Sequence, residues 1–249
     1  MSTRSLGWLV PEHPLFGIPR RIPELRLNSY PKSLSLEASV DHVFDQLHMG
    51  SCVGQAVAMA SYLAGKINHT SIPRFSALDV YRGARTAIGT VNEDSGSYIH
   101  DAIDFCVRTG LAREQDWPYD TSKFAMDIPL EAKNLRAKSR IVSTELISPS
   151  LSHIKHEINS HHYIVAGFRV TNQWMGGNSD GVIERPTGDT VGGHAVIILG
   201  YDDNKQSVRV LNSWGRNWGS NGLTWLHYDW LKWPWLGEIH AIRVVRSFL

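Results

Sequence analysis

The 249-residue chain has only two cysteines, Cys52 and Cys106, a scarcity that excludes a disulfide framework as its source of stability. It has no charge excess either. With 25 basic and 24 acidic residues the formal net charge is +1, and no single-sign run offers the footprint a phosphate backbone requires, so nucleic acid is not expected as a partner. Long hydrophobic runs are missing. "AVIILGY" is too short to cross a bilayer and "LGWLV" is too short for a signal-peptide core, which predicts a cytoplasmic chain with no membrane partner. His153, His156, His161 and His162 have no companion cysteines or carboxylates at structural-zinc spacing, so they are assigned to the surface. No metal and no cofactor are expected.

What is present is 42% hydrophobic residues, enough for a sizeable core. Pro11, Pro14, Pro19 and Pro23 interrupt any period in residues 1–30, which should run extended over a surface. A helical pattern follows. Val53, Ala56, Val57, Ala60, Leu63 and Ala64 repeat at helical spacing from Cys52, with Gly65 as a stop signal; Ser76 caps a second helix, and a third ends at Gly110. Farther on, "YIVAGFRV", "GGHAVIILGYDD", "SVRVLNSW", "GLTWLHY" and "HAIRVVRSF" are short apolar or alternating runs with turn residues between them, an antiparallel signature. The expected organisation is α+β: an extended segment 1–30, a mainly helical lobe 31–145, and an antiparallel β lobe 146–249. The site should lie in the cleft between the lobes. Six of the nine tryptophans fall between Trp214 and Trp235 and are expected to wall the cleft and fill the β core.

Cys106 lies on the apolar stripe of the third helix and reads as core. Cys52 opens the first helix, where free backbone N–H groups and the positive dipole end favour a thiolate. A base for it is found in "GGHAVIILGYDDNKQSVRVLNSWG". A turn over Asp202 to Lys205 sets Ile198 opposite Val208, Val196 opposite Val210, and His194 opposite Asn212, an imidazole faced by an orienting amide. Gln46, six residues before Cys52, can aim its amide where the Cys52 N–H also points, giving two donors for a carbonyl oxygen that gains charge.

"DQLHMGSC", "GGHAV" and "NSWGRNWGSNG", in that order, resemble the papain family of cysteine peptidases, and "TGLAREQDWPYD" and "GLTWLHYDWL" are similar to further segments of it. The resemblance runs from about Pro31 onward and implies the two-lobe papain-like fold, with a helical left lobe and a barrel-like right lobe. It implies that Cys52 is the nucleophile, His194 its ion-pair partner, Asn212 the orienter, Gln46 the oxyanion donor, and Trp214 a shield over the Asn212–His194 bond. By the same resemblance, the backbone of Ser95, Gly96 and Ser97 pairs with an extended peptide or protein substrate, and Gly193, Trp214 and Trp218 line the cleft. Met49 stands where secreted members have a half-cystine, and Val53 where they have an aromatic residue, as in a compact, disulfide-free branch. The implied activity is an endopeptidase working through an acyl-thioester; acyl transfer to an amine and a silent peptide-binding homologue are the alternatives. Gly192 and Gly193 leave room for a large apolar side chain at the second residue before the scissile bond. The proline-rich start, with Trp8, Leu9, Leu15, Phe16 and Ile18, is a candidate plug for the cleft, its competing place being the back of the β lobe.

Overall fold

The computed structural model describes residues 4–17, 29–68, 71–175 and 181–247. Helix α1 (Cys52–Asn68) buries its small residues, including Val53, Ala56, Val57, Ala60 and Ala64, and packs against α2 (Ala77–Ala87) on one side and the sheet on the other. Small side chains allow that double approach. α1 does not stop at Gly65: a Cβ there would lie 2.0 Å from Ile72 Cδ1, so the glycine admits a neighbour rather than ending the helix. Ser76 Oγ accepts the Asp79 N–H at 3.2 Å and caps α2, and α3 (Ile99–Thr109) ends at Gly110, where φ is 96°. Cys106 on α3 is buried.

Strands β1 (Ser33–Ser35), β2 (Ser139–Leu146), β3 (Tyr163–Thr171), β4 (Val182–Ile183), β5 (Thr190–Asp202), β6 (Ser207–Leu211), β7 (Leu223–His227) and β8 (Leu236–Ser247) form one sheet, in the order β2-β8-β3-β5-β6-β7-β4, with β1 added to β5. All pairs are antiparallel except β4 with β7. β1 and most of β2 come from the stretch assigned to the helical lobe, because the sheet needs partners for β5 and β8. Conversely, α5 (Leu151–Asn159) lies within the β half, after the short α4 (Leu130–Arg136) of the helical half. His153 on α5 is buried and His162 bonds Glu157 at 2.7 Å, so only His161 of those four histidines is truly exposed. Among the described residues no metal-binding group of His, Cys, Asp and Glu occurs, and no helix is long and apolar enough to cross a membrane.

The hairpin register differs from the expected one. Asp202 faces Ser207, Tyr201 faces Val208 and Gly200 faces Arg209; then a bulge intervenes, and Ile198 faces Val210 and Ile197 faces Leu211. The turn lies one residue later than expected, and the bulge then takes back one position of the resulting offset. That bulge restores parity: extended past Ile197 and Leu211, the register sets His194 and Asn212 on one face as diagonal neighbours.

Candidate active site

Two backbone junctions bring the groups together. Residues 44–46 lie against 213–215: Gln46 N–H donates to Ser213 C=O at 2.9 Å, Gly215 N–H to Phe44 C=O at 3.0 Å, and Asp45 bridges Trp214. Through this seam the loop before α1 is tied to the end of β6. Ser213 Oγ donates to Gln46 Oε1 at 2.7 Å, which fixes the amide with its oxygen toward the β lobe and leaves Nε2 to donate elsewhere. His194 Nε2 and Asn212 Oδ1 are 2.7 Å apart, and the same oxygen accepts the Ser213 N–H at 2.7 Å. An oxygen used twice fixes both the amide and the imidazole tautomer. Trp214 stacks on the imidazole, with centroids 4.5 Å apart and planes at 27°, and Trp174 meets it edge-on at 6.2 Å. Trp218 lies behind Trp214, its indole N–H on the Trp174 carbonyl at 3.2 Å, so its area is spent in the core instead of lining the cleft.

Residues 5–9 lie in the cleft itself. Gln46 Nε2 donates to the Ser5 carbonyl at 3.0 Å as well as to Met49 C=O at 3.0 Å. Ser97 N–H donates to Gly7 C=O at 2.8 Å, and Leu9 N–H to Ser97 C=O at 3.0 Å, a parallel pairing. From the other wall, Gly193 C=O accepts the N–H groups of Gly7 and Trp8, both at 3.1 Å. Glycine makes this approach possible: a Cβ on Gly7 would sit 1.8 Å from Gly50 O, and one on Gly96 (φ 78°) 2.4 Å from Gly7 O. Of the expected substrate strand, Ser97 carries the pairing, whereas Ser95 Oγ turns to Thr90 Oγ1 at 2.7 Å and Gly96 N–H to Tyr81 Oη at 3.0 Å.

Trp8, 2% exposed, fills a pocket that the sequence alone did not reveal as lined by three glycines and a charge. A Cβ on Gly167 would lie 2.3 Å from its ring and one on Gly237 2.6 Å from it, while Gly193 backs onto its carbonyl. The indole N–H donates to Glu238 Oε2 at 3.2 Å. Glu238 is fully buried; burial opposes its charge, but hydrogen bonds from His100 and His240 overcome it and hold the carboxyl down to about 2. The N–H groups of Ile99 and His100, at the start of α3, also donate to it. A lone glutamate inside the apolar run "LGEIHAI" was the available signal. Beyond the cleft, Leu15 N–H donates to Gly237 C=O at 2.8 Å and Gly17 N–H to Ile147 C=O at 3.0 Å, so the segment ends as a strap on the β lobe. Residues 5–9 thus lie in the cleft, and residues 15–17 run beside Gly237 and Ile147 of the β lobe. Ile18 lies outside the described residues.

Burial disfavours charge at the covered site. Burial pushes the Cys52 thiol up to about 11, although the backbone N–H groups of Ala195, Gly7, Val53 and Cys52 itself favour the thiolate. Burial likewise drives His194 down to about 4 against the Asn212 hydrogen bond, and its Nδ1 has no partner among the described residues. Burial of the cleft therefore opposes the thiolate that the helix start and these N–H groups favour.

Comparison with known proteins identifies the family and the fold. The family model described as papain family cysteine protease matches residues 31–231. An uncharacterized peptidase C1-like protein of Acanthamoeba polyphaga mimivirus is 32% identical over 202 residues, 75% of this chain and 64% of that protein. Across the curated relatives matched, the chain spans less than two thirds of their length. Among solved structures, xylellain, a cysteine protease from Xylella fastidiosa, superposes with a TM-score of 0.84 at 26% identity over 99% of each chain. Procathepsin B S9 of Trypanosoma congolense shares the fold, with a TM-score of 0.74 at 18% identity over 97% of this chain and 86% of that one.

Proposed function

Since the chain belongs to the papain family of cysteine proteases, we propose that it hydrolyses peptide bonds through Cys52, His194 and Asn212, and that its own residues 5–9 hold it latent. In the opened cleft Cys52 and His194 exchange a proton to give thiolate and imidazolium. The thiolate attacks the peptide carbonyl, whose oxygen takes the positions facing Gln46 Nε2 and the Cys52 N–H. The imidazolium protonates the departing amine, and water, deprotonated by the same imidazole, then cleaves the thioester. Asn212 holds the ring in the tautomer these transfers need, and Trp214 keeps water from that bond.

The observation that carries the reading is the Ser5 carbonyl on Gln46 Nε2, with Trp8 in the adjoining pocket. These are the contacts a substrate would make, in reversed order. A substrate that places its second residue before the scissile bond in the Trp8 pocket reaches Gln46 afterwards, whereas the segment reaches Gln46 first. The Gly7 N–H, which donates to Gly193 C=O, also lies close enough to the Cys52 sulfur to favour its thiolate, and it is a donor and not an electrophilic carbon. The pocket also refines the expected preference: it suits a large aromatic side chain, or a long one ending in an N–H donor, that reaches Glu238.

The test is alkylation by an epoxide or fluoromethyl-ketone peptide, followed by intact mass, on the full chain and on a chain starting at residue 29. The shortened chain should take one adduct, on Cys52, and should hydrolyse a fluorogenic peptide; the full chain should do both more slowly. Equal rates in two folded proteins would remove the latency, and no adduct in either would remove the peptidase reading.

A further inference from the structure

The segment "DWPYD" ends near a residue that the steps above leave unused. Tyr119 Oη donates to the Gln46 carbonyl at 2.9 Å and lies 2.6 Å from Ser51 Oγ. Its single hydrogen is spent on Gln46, so Ser51 must be the donor of the second bond. Gln46 carries one oxyanion donor on its side chain. Ser51 directly precedes Cys52, whose backbone N–H is the other. One phenol oxygen is thus bonded to both residues that set the spacing of the two donors.

We propose that Tyr119 is a positioning residue for the oxyanion hole, holding Gln46 and the start of α1 at the separation that receives a carbonyl oxygen. The inference rests on the peptidase reading. The loop it spans needs holding: Leu47 sits at φ 55°, a conformation that costs a non-glycine residue energy and persists only where neighbours enforce it. Ser213 ties Gln46 to the β lobe, and Tyr119 ties it to the helical lobe. Tyr119 is itself fixed, its N–H on Glu114 Oε1 at 2.7 Å and its ring against both hydrophobic clusters of the described residues. Burial, opposed by the Ser51 bond, pushes its phenol up to about 12, so it stays a donor throughout the working range of a peptidase.

The test uses the full-length chain carrying Trp8→Ala, which frees the cleft, with Tyr119→Phe added. Phenylalanine keeps the ring and drops only the hydroxyl. Tyr119→Phe should lower kcat on a fluorogenic peptide by roughly ten- to a hundredfold while KM stays nearly constant, because the oxyanion forms only in the transition state. Iodoacetamide alkylation of Cys52, which develops no oxyanion, should keep its rate. In a Gln46→Ala background the same substitution should have almost no further effect, since the donor it positions is gone. Should Tyr119→Phe fold poorly, Ser51→Ala removes the other half of the link and should give a smaller loss of kcat, again with alkylation unchanged. An unchanged kcat, a loss that adds fully to that of Gln46→Ala, or a parallel loss of alkylation would overturn the inference. If the Trp8→Ala chain itself hydrolyses nothing although Cys52 is alkylated, the peptidase reading falls and takes this one with it.

Discussion

Replacing Trp8 with alanine removes the side chain that anchors residues 5–9 in the cleft. Trp8 is 2% exposed, and truncating a buried aromatic of this size costs about 3–5 kcal/mol. Most of that falls on docking of the segment, because α1 and the sheet keep their mutual packing without it. At about 1.4 kcal/mol per tenfold, the docking equilibrium weakens by roughly two to three and a half orders of magnitude. The assay is the rate at which iodoacetamide modifies Cys52 at neutral pH, read by intact mass, with Cys52→Ala as the blank because Cys106 is also buried. The rate should climb by up to that factor and level off once the cleft is open most of the time. Trp8→Phe separates area from hydrogen bond: it drops the 3.2 Å donor to Glu238 but leaves His100, His240 and two backbone N–H groups on that carboxylate, so a rise of about tenfold is expected. A Trp8→Ala chain that is folded, yet alkylated within about twofold of the native rate, would show that the segment is held by something else.

Gly237→Ala intrudes on both the plug and the pocket, since its Cβ would lie 2.6 Å from the Trp8 ring; Cys52 alkylation should accelerate while hydrolysis of peptides with a bulky second residue before the scissile bond falls. A gain in that hydrolysis would contradict the pocket assignment. Asn212→Ala in the Trp8→Ala chain should leave reduced but measurable kcat, because thiolate and oxyanion donors remain; an unchanged rate would mean His194 is oriented by its aromatic neighbours alone. Glu12 and His13 lie exposed between the plug and the strap, so brief digestion with a glutamate-specific protease should cut after Glu12 first and raise activity. Cutting there without a gain in activity would mean that the plug stays docked after it is severed.

Local chemistry and spacing made most of the lobes legible. The small-residue stripe from Cys52, the Ser76 cap and the alternating runs of the second half depend on neighbours a few residues away, and those relations survive into the fold. The papain-like motifs likewise marked Gln46, Cys52, His194 and Asn212 as the groups to watch. Three things depended on partners far apart along the chain. The hairpin register was set by a bulge between Ile198 and Gly200, which no alternation pattern announces, and it made Asn212 diagonal to His194 instead of opposite. The burial that pushes the Cys52 thiol up and His194 down depends on how the whole cleft packs, which a helix start in isolation does not carry. The anchor of that segment needed Trp8, Gly167, Gly193, Gly237 and Glu238 at one point. A sequence shows an apolar strand that could cover a cleft; only the packed chain supplies a hole shaped for its tryptophan with an ionised acceptor at the bottom.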